Sequence, residues 1–439
     1  MTQAIFSATA PEDLESLCTE QGGLRVPLQL NPKERSSPAS RWTLRHLIAY
    51  RLLLKSETNF LATFQSEHAA LCPVCNTLRD DLPQTVDTDG TAALIQDPCP
   101  ANLLHATEAE LMRLTNGSFW LALARAMRPE GIELRRFPRR DRMEVERPSF
   151  VNSSTAIVGS SSPTRPSSSS DFEMSTGSID EDEYDARRGK PEEVTVHLAM
   201  SFLQHALYTC LLQDSESLSE VRARVERQRS YVVNGIGHIV AEDDGGICRM
   251  ERRAVGWTMT HPYIALLEAK RAFRHVQVNN ITGETRPVVS NEVLAQCFGE
   301  AVVAWMANRR LIGQESDLIR SLSFSFSLSS SADDHSLRSV FLITASNTFL
   351  RFVHFRFGSH YAELVDSTDM ATQQALVADI NKDTCVHMQC SKWFNLQAAQ
   401  GRRAALCHVL ALLRWHDNAA EVLNNEVGKG SSDDDSDMV

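Results

Sequence analysis

No apolar stretch of this 439-residue chain approaches the ~18 residues that read as a bilayer span. A membrane protein is therefore not expected. The first residues, Met-Thr-Gln-Ala-Ile-Phe, turn acidic by Glu12 and lack the charged-then-apolar pattern of a secretory leader. Positive charge is in deficit: 44 Lys and Arg stand against 56 Asp and Glu, a net −12 at pH 7. That balance argues against a protein that coats nucleic acid through bulk charge, although it leaves room for a local basic channel. The chain also has no Gly-x-x-x-x-Gly-Lys phosphate loop, no Gly-x-Gly-x-x-Gly turn and no Gly-x-Ser-x-Gly elbow. The turn Asp243-Asp-Gly-Gly is too short for a calcium loop. The ten cysteines are scattered, with Cys210, Cys248, Cys297 and Cys407 among apolar neighbours. Free thiols suit a reducing compartment, so an intracellular protein of nucleus or cytoplasm is expected.

The length implies two or three units. Residues 1–148 read as mainly helical, with helices over 42–54 and 107–127; Thr107 and Glu110 have the spacing of a capping box. Between them His68, Cys72, Cys75 and Cys99 make an incomplete zinc pattern, for which loop and core thiols are the plainer alternative. Arg135, Arg136, Arg139, Arg140 and Arg142 form a basic cluster interleaved with Glu133, Asp141, Glu144 and Glu146, as on a solvated surface. Residues 149–192 are rich in Ser and Thr and then acidic, which predicts a disordered linker or insertion through which protein partners could bind. The acidic tail, 426–439, is expected to be disordered as well.

Residues 193–425 read as an α/β (α+β) domain. Helices are expected over 195–212, 215–229, 290–309 and 393–415. Strands are expected over 231–233, 236–241, 247–255, 263–270, 321–328, 339–344, 348–357 and 360–365. Asp243-Asp-Gly-Gly reads as a hairpin turn, and a second hairpin is expected around Gly358. In the 263–270 strand a buried apolar run ends in Glu268 and Lys270. Strand alternation puts both on one face, about 7 Å apart. The plain explanation is a pair of charges at the sheet rim, solvated or neutralising each other. Gln296 and Glu300, spaced i and i+4, share one face of the following helix.

The order helix, two strands, Glu-x-Lys strand, helix, strand resembles the core of the PD-(D/E)XK, restriction-endonuclease-like nuclease superfamily. The resemblance covers roughly residues 195–365 and rests on Glu268, Lys270, Gln296 and Glu300. Val240–Cys248 and Leu266–Arg271 also resemble a degenerate nuclease-like form found in fungal proteins. The resemblance implies a mixed sheet flanked by helices, to which the mainly helical residues 1–148 would add an N-terminal lobe. It also implies Mg-dependent phosphodiester hydrolysis on DNA or RNA, with Glu268, Lys270 and Gln296 as catalytic residues. The superfamily's Asp on the preceding strand has His238 in its expected place. Candidates to replace it as metal ligands beside Glu268 are Asp243 and Asp244 at the turn and Glu226 on the expected helix; Glu251 is a further one. With no second acid, a non-catalytic interaction or scaffold protein is the alternative.

Overall fold

Fifteen residues, Gly256–Lys270, form the longest strand of an eight-stranded mixed sheet. In the computed structural model, residues 5–64, 88–95, 103–128, 192–211, 213, 217–270, 276–278, 285–322 and 337–429 are described. The strands in chain order are β1 (Leu52–Leu54), β2 (Ser219–Arg224), β3 (Arg229–Val233), β4 (His238–Glu242), β5 (Gly246–Arg253) and β6 (Gly256–Lys270). They continue with β7 (Val276–Val278), β8 (Thr285–Pro287), β9 (Ser339–Ser346), β10 (Phe349–Phe357), β11 (Val386–Cys390) and β12 (Phe394–Asn395). The main sheet runs β1-β11-β10-β9-β6-β5-β2, with β12 also paired to β10; β3-β4 and β7-β8 are separate ribbons.

The helices are α1 (Pro11–Glu20), α2 (Pro32–Arg35), α3 (Leu44–Ala49), α4 (Thr88–Ile95), α5 (Glu108–Met112) and α6 (Gly117–Met127). After them come α7 (Glu192–His205), α8 (Asn291–Leu322), α9 (Tyr361–Asp366), α10 (Met370–Ala378) and α11 (Ala399–Lys429). The class is α+β, as the sequence patterning implies. Among the described residues no helix is long and apolar enough to cross a membrane.

β6 and β9 are parallel, with Glu268 opposite Thr344 and Lys270 opposite Ser346. Parallel neighbours need a long crossover, and α8 provides it. Each face of the sheet carries a core. Leu266, with Phe298 and Val302 of α8, belongs to one; Ala265, Leu267 and Ala269, with Phe202 of α7 and Leu406 of α11, belong to the other. A strand covered on both faces must be almost wholly apolar, which explains the run before Glu268.

The N-terminal residues do not form a lobe of their own. Phe6, Leu14, Trp42 and Leu47 share the core of α8 and β10, and β1 pairs in parallel with β11. The described residues on either side of 129–191 make one compact unit. The helix expected over 42–54 is only α3. It stops where Arg51 takes φ 61, after which three leucines join the sheet edge as β1. The 107–127 helix is broken at Asn116, φ 65, into α5 and α6; the Thr107–Glu110 capping box is present.

Residues 219–224 form a strand rather than part of a 215–229 helix. Glu220 and Arg222 alternate with Val221 and Ala223, so charges suit the open edge while alternate residues meet the core; Arg224, at the strand's end, is buried. Asp243-Asp-Gly-Gly does not close a hairpin. It carries the chain from the β3-β4 ribbon into the main sheet, where β5 pairs with β2 and β6. The hairpin at Gly358 is absent, because residues 361–366 are α9; the β9-β10 turn lies at Asn347 instead. The expected 393–415 helix begins only at Ala399, after β12. His68, Cys72, Cys75, Cys99, the arginine cluster at 135–142 and residues 149–191, 323–336 and 430–439 lie outside the described residues.

Candidate active site

Glu268 is 2% exposed, in the middle of the sheet and facing α8. Two groups meet its carboxylate. The Lys270 ammonium, two residues on along the same strand face, pairs with Oε1. The Gln296 amide donates to the same oxygen at 2.6 Å and to Glu300 Oε1 at 3.0 Å. The i, i+4 spacing on α8 thus turns Gln296 and Glu300 together toward the strand. Glu300 is buried, and its Oε2 has no hydrogen-bond partner.

Asp244 is the second acid. The turn that changes sheets puts it alongside the end of β6, where its N–H donates to the Leu267 carbonyl at 2.9 Å. The Ala269 N–H donates to Asp244 Oδ2 at 3.0 Å, and Arg227 pairs with Oδ1 at 3.1 Å. The Asp244 carboxylate therefore stands in for a missing β5 carbonyl and is fixed one residue from Glu268. A Cβ at Gly246 would lie 2.2 Å from the Ala265 carbonyl, so only glycine lets this turn approach β6 so closely.

The charges act on one another. Burial raises the Glu268 pKa to about 7; Lys270 opposes that rise and Asp244 adds to it. Burial and then the Glu268 charge push Glu300 well above the ordinary carboxylate range. Burial works against the Lys270 charge, but Glu268, Glu192 and Glu300 together hold its pKa above the usual lysine value. Glu192, at the start of α7, is raised by burial; it also feels Lys270, Asp244 and Arg227. Four carboxyl groups and two cations thus converge from β6, α8, α7 and the turns on either side of the β3-β4 ribbon.

The other candidates lie elsewhere. Asp243 points the opposite way from Asp244. Arg224 grips it with two bonds of 2.9 and 2.8 Å, and the Gln228 and Gly245 N–H groups donate to it at 3.1 Å each. Both side chains are buried, and the pair secures the turn. Glu226 is exposed in the β2-β3 loop, not on a helix; only its backbone carbonyl is engaged, by Arg224. His238 is exposed on the ribbon, stacked with Tyr231 at 5.8 Å. Glu251 lies five residues beyond Gly246 on β5 and pairs with Arg253 at 3.1 Å. Glu192 and Arg227 went unforeseen. The run Pro191-Glu-Glu is a helix-start signal that could have flagged Glu192.

The donor set is all oxygen. Asp244 and Glu268 suit a hard divalent cation such as Mg²⁺, which takes one or two carboxylates and completes its shell with water. Among the described residues no group of three or more His, Cys, Asp or Glu is arranged to hold a metal. Beside Glu268 and Lys270 lies a cavity of about 330 Å³. Protein-family models, characterised proteins and solved structures give no match to the chain.

Proposed function

We propose that the protein is a divalent-metal-dependent phosphodiester hydrolase acting on DNA or RNA, on the PD-(D/E)XK pattern. One observation carries this function: Asp244, anchored on the Ala269 N–H, lies within charge range of Glu268, which itself pairs with Lys270. The element order supports it. An α7 helix, antiparallel β2, β5 and β6, the α8 crossover and parallel β9 follow in sequence, with the Asp at the head of β5 and Glu-x-Lys at the end of β6.

Asp244 and Glu268 would hold the cation, with water in the remaining positions. When bound, such an ion polarises a phosphoryl group and lowers the pKa of a coordinated water. Lys270 supplies a fixed positive charge where negative charge develops on the phosphoryl oxygens. Gln296 fixes the Glu268 carboxylate by donating to Oε1. Burial and the Glu268 charge both disfavour ionisation of Glu300, which limits the negative charge it adds to the buried cluster. Arg227 offsets Asp244 from the solvent side.

The experiment is incubation of the full chain with labelled single- and double-stranded DNA and RNA in Mg²⁺ or Mn²⁺. Asp244→Asn, Glu268→Ala and Lys270→Ala should each lower cleavage by about 10²-fold or more. Cleavage that survives all three assigns the activity to another protein in the preparation. A non-catalytic scaffold is supported by one specific observation: Lys270 and Arg227 already neutralise the two acids. Calorimetry separates the two functions, since a scaffold shows no Mg²⁺ or Mn²⁺ binding that Glu268→Ala removes.

A further inference from the structure

The cavity beside Glu268 and Lys270 has a composition that hydrolysis itself does not require. Its walls are apolar, with Leu54, Leu294, Val353 and Met388 among them. Trp393 also lines it, and the Arg351 guanidinium lies 5.4 Å from the indole centroid, within cation–π range. Arg351 is itself held: its Nε donates to the Ser391 carbonyl at 2.9 Å, and a terminal nitrogen pairs with Glu57. The indole therefore rests against an immobilised cation. Of the charged residues lining the cavity, Lys55, Lys270 and Arg351 are cations and Glu57 and Glu268 are anions, three against two. This is a local positive excess in a chain of net charge −12. An aromatic plate, apolar walls and surplus positive charge together suit a flat apolar ring that carries an anion.

The volume narrows the choice. About 330 Å³ lies at the lower end of ligand-sized cavities. That suits one unstacked nucleotide rather than a base pair, and any neighbouring nucleotide lies outside the cavity. We infer that the cavity takes the unstacked terminal nucleotide of a single strand. Its base lies against Trp393 and the apolar wall, and its phosphate faces Lys55 and Lys270. The inference rests on the hydrolase function of the same site and assigns that function's substrate as single-stranded ends.

The test uses the full chain in EDTA, where hydrolysis cannot intervene. An internally labelled linear oligonucleotide is titrated in, as DNA and as RNA. The competitors are the same strand closed into a circle and a blunt duplex. Tight binding of the linear strand with either sugar, and competition about ten-fold weaker by circle and duplex, supports the inference. Trp393→Ala should lower linear-strand affinity by about ten-fold, as loss of a base–aromatic stack does. Lys55→Glu should also weaken it, and because Lys55 is exposed that variant keeps the fold intact. Absence of linear-strand binding, equal binding of circle or duplex, or unchanged affinity in both variants overturns the inference. Binding without metal-dependent cleavage overturns the hydrolase and leaves the pocket. Cleavage indifferent to both substitutions overturns the pocket and leaves the hydrolase.

Discussion

At Glu268, folding forces a carboxylate into a place where its charge is costly, and two predictions follow from the sign of that cost. The folded pKa of about 7 lies above the ordinary 4.5, so the native state holds a proton that the unfolded chain has released. Stability then falls as pH rises from about 4.5 to 7, because the folded state binds more protons across that window. Glu300→Gln keeps the geometry of the Gln296 bond and removes a buried ionisable group. It should raise Tm at pH 7.5 by a few degrees, worth about 1 kcal/mol, and flatten the pH slope; scanning calorimetry at pH 5 and 7.5 checks both. A metal ion needs the ionised form, so Mg²⁺ affinity should rise with pH up to about 7 and release a proton; calorimetry in two buffers of different ionisation heat reads that proton. Burial raises the Asp243 pKa too, and Arg224 opposes that rise. Arg224→Ala leaves a buried carboxylate unpaired and should cost about 3–5 kcal/mol of stability, measured by denaturant unfolding.

At the scale of elements, the turn between β4 and β5 is the critical piece. Gly246→Ala would drive a methyl group into the Ala265 carbonyl. It should separate β5 from β6 and displace Asp244, so Mg²⁺ binding is lost with little change in overall helix content by circular dichroism. The second half of β6 and the first two thirds of α8 were legible in the sequence because each has a bounded apolar pattern, and Gln296 and Glu300 followed from helical spacing; the first half of β6 was read as a lead-in, and α8 runs on past 309 to Leu322, where a strand was expected. β2 was not legible, since Leu218, Val221 and Val225 suit a helix as well as Val221 and Ala223 suit a strand. Nor could Asp244 be told from Asp243. Their divergence depends on two glycines, Gly245 at φ 133 and Gly246 at φ 157, and on a change of sheet that local patterning does not encode. Glu192 escaped notice because its partners come from turns far along the chain.

At the scale of the molecule, residues 149–192 read from the sequence as either a linker or an insertion. Residues on both sides of that break share one core. A fragment of 189–439 expressed alone should lack a cooperative unfolding transition. Co-expressed with 1–128 it should co-purify and regain one, and gel filtration with calorimetry decides the matter. The pairing of β1 with β11 sets an order of events during synthesis. The ribosome makes Leu52–Leu54 long before the strand they lie against, Val386–Cys390. Until then this leucine strand has no mate, and chaperones that recognise exposed apolar segments should find the nascent chain there.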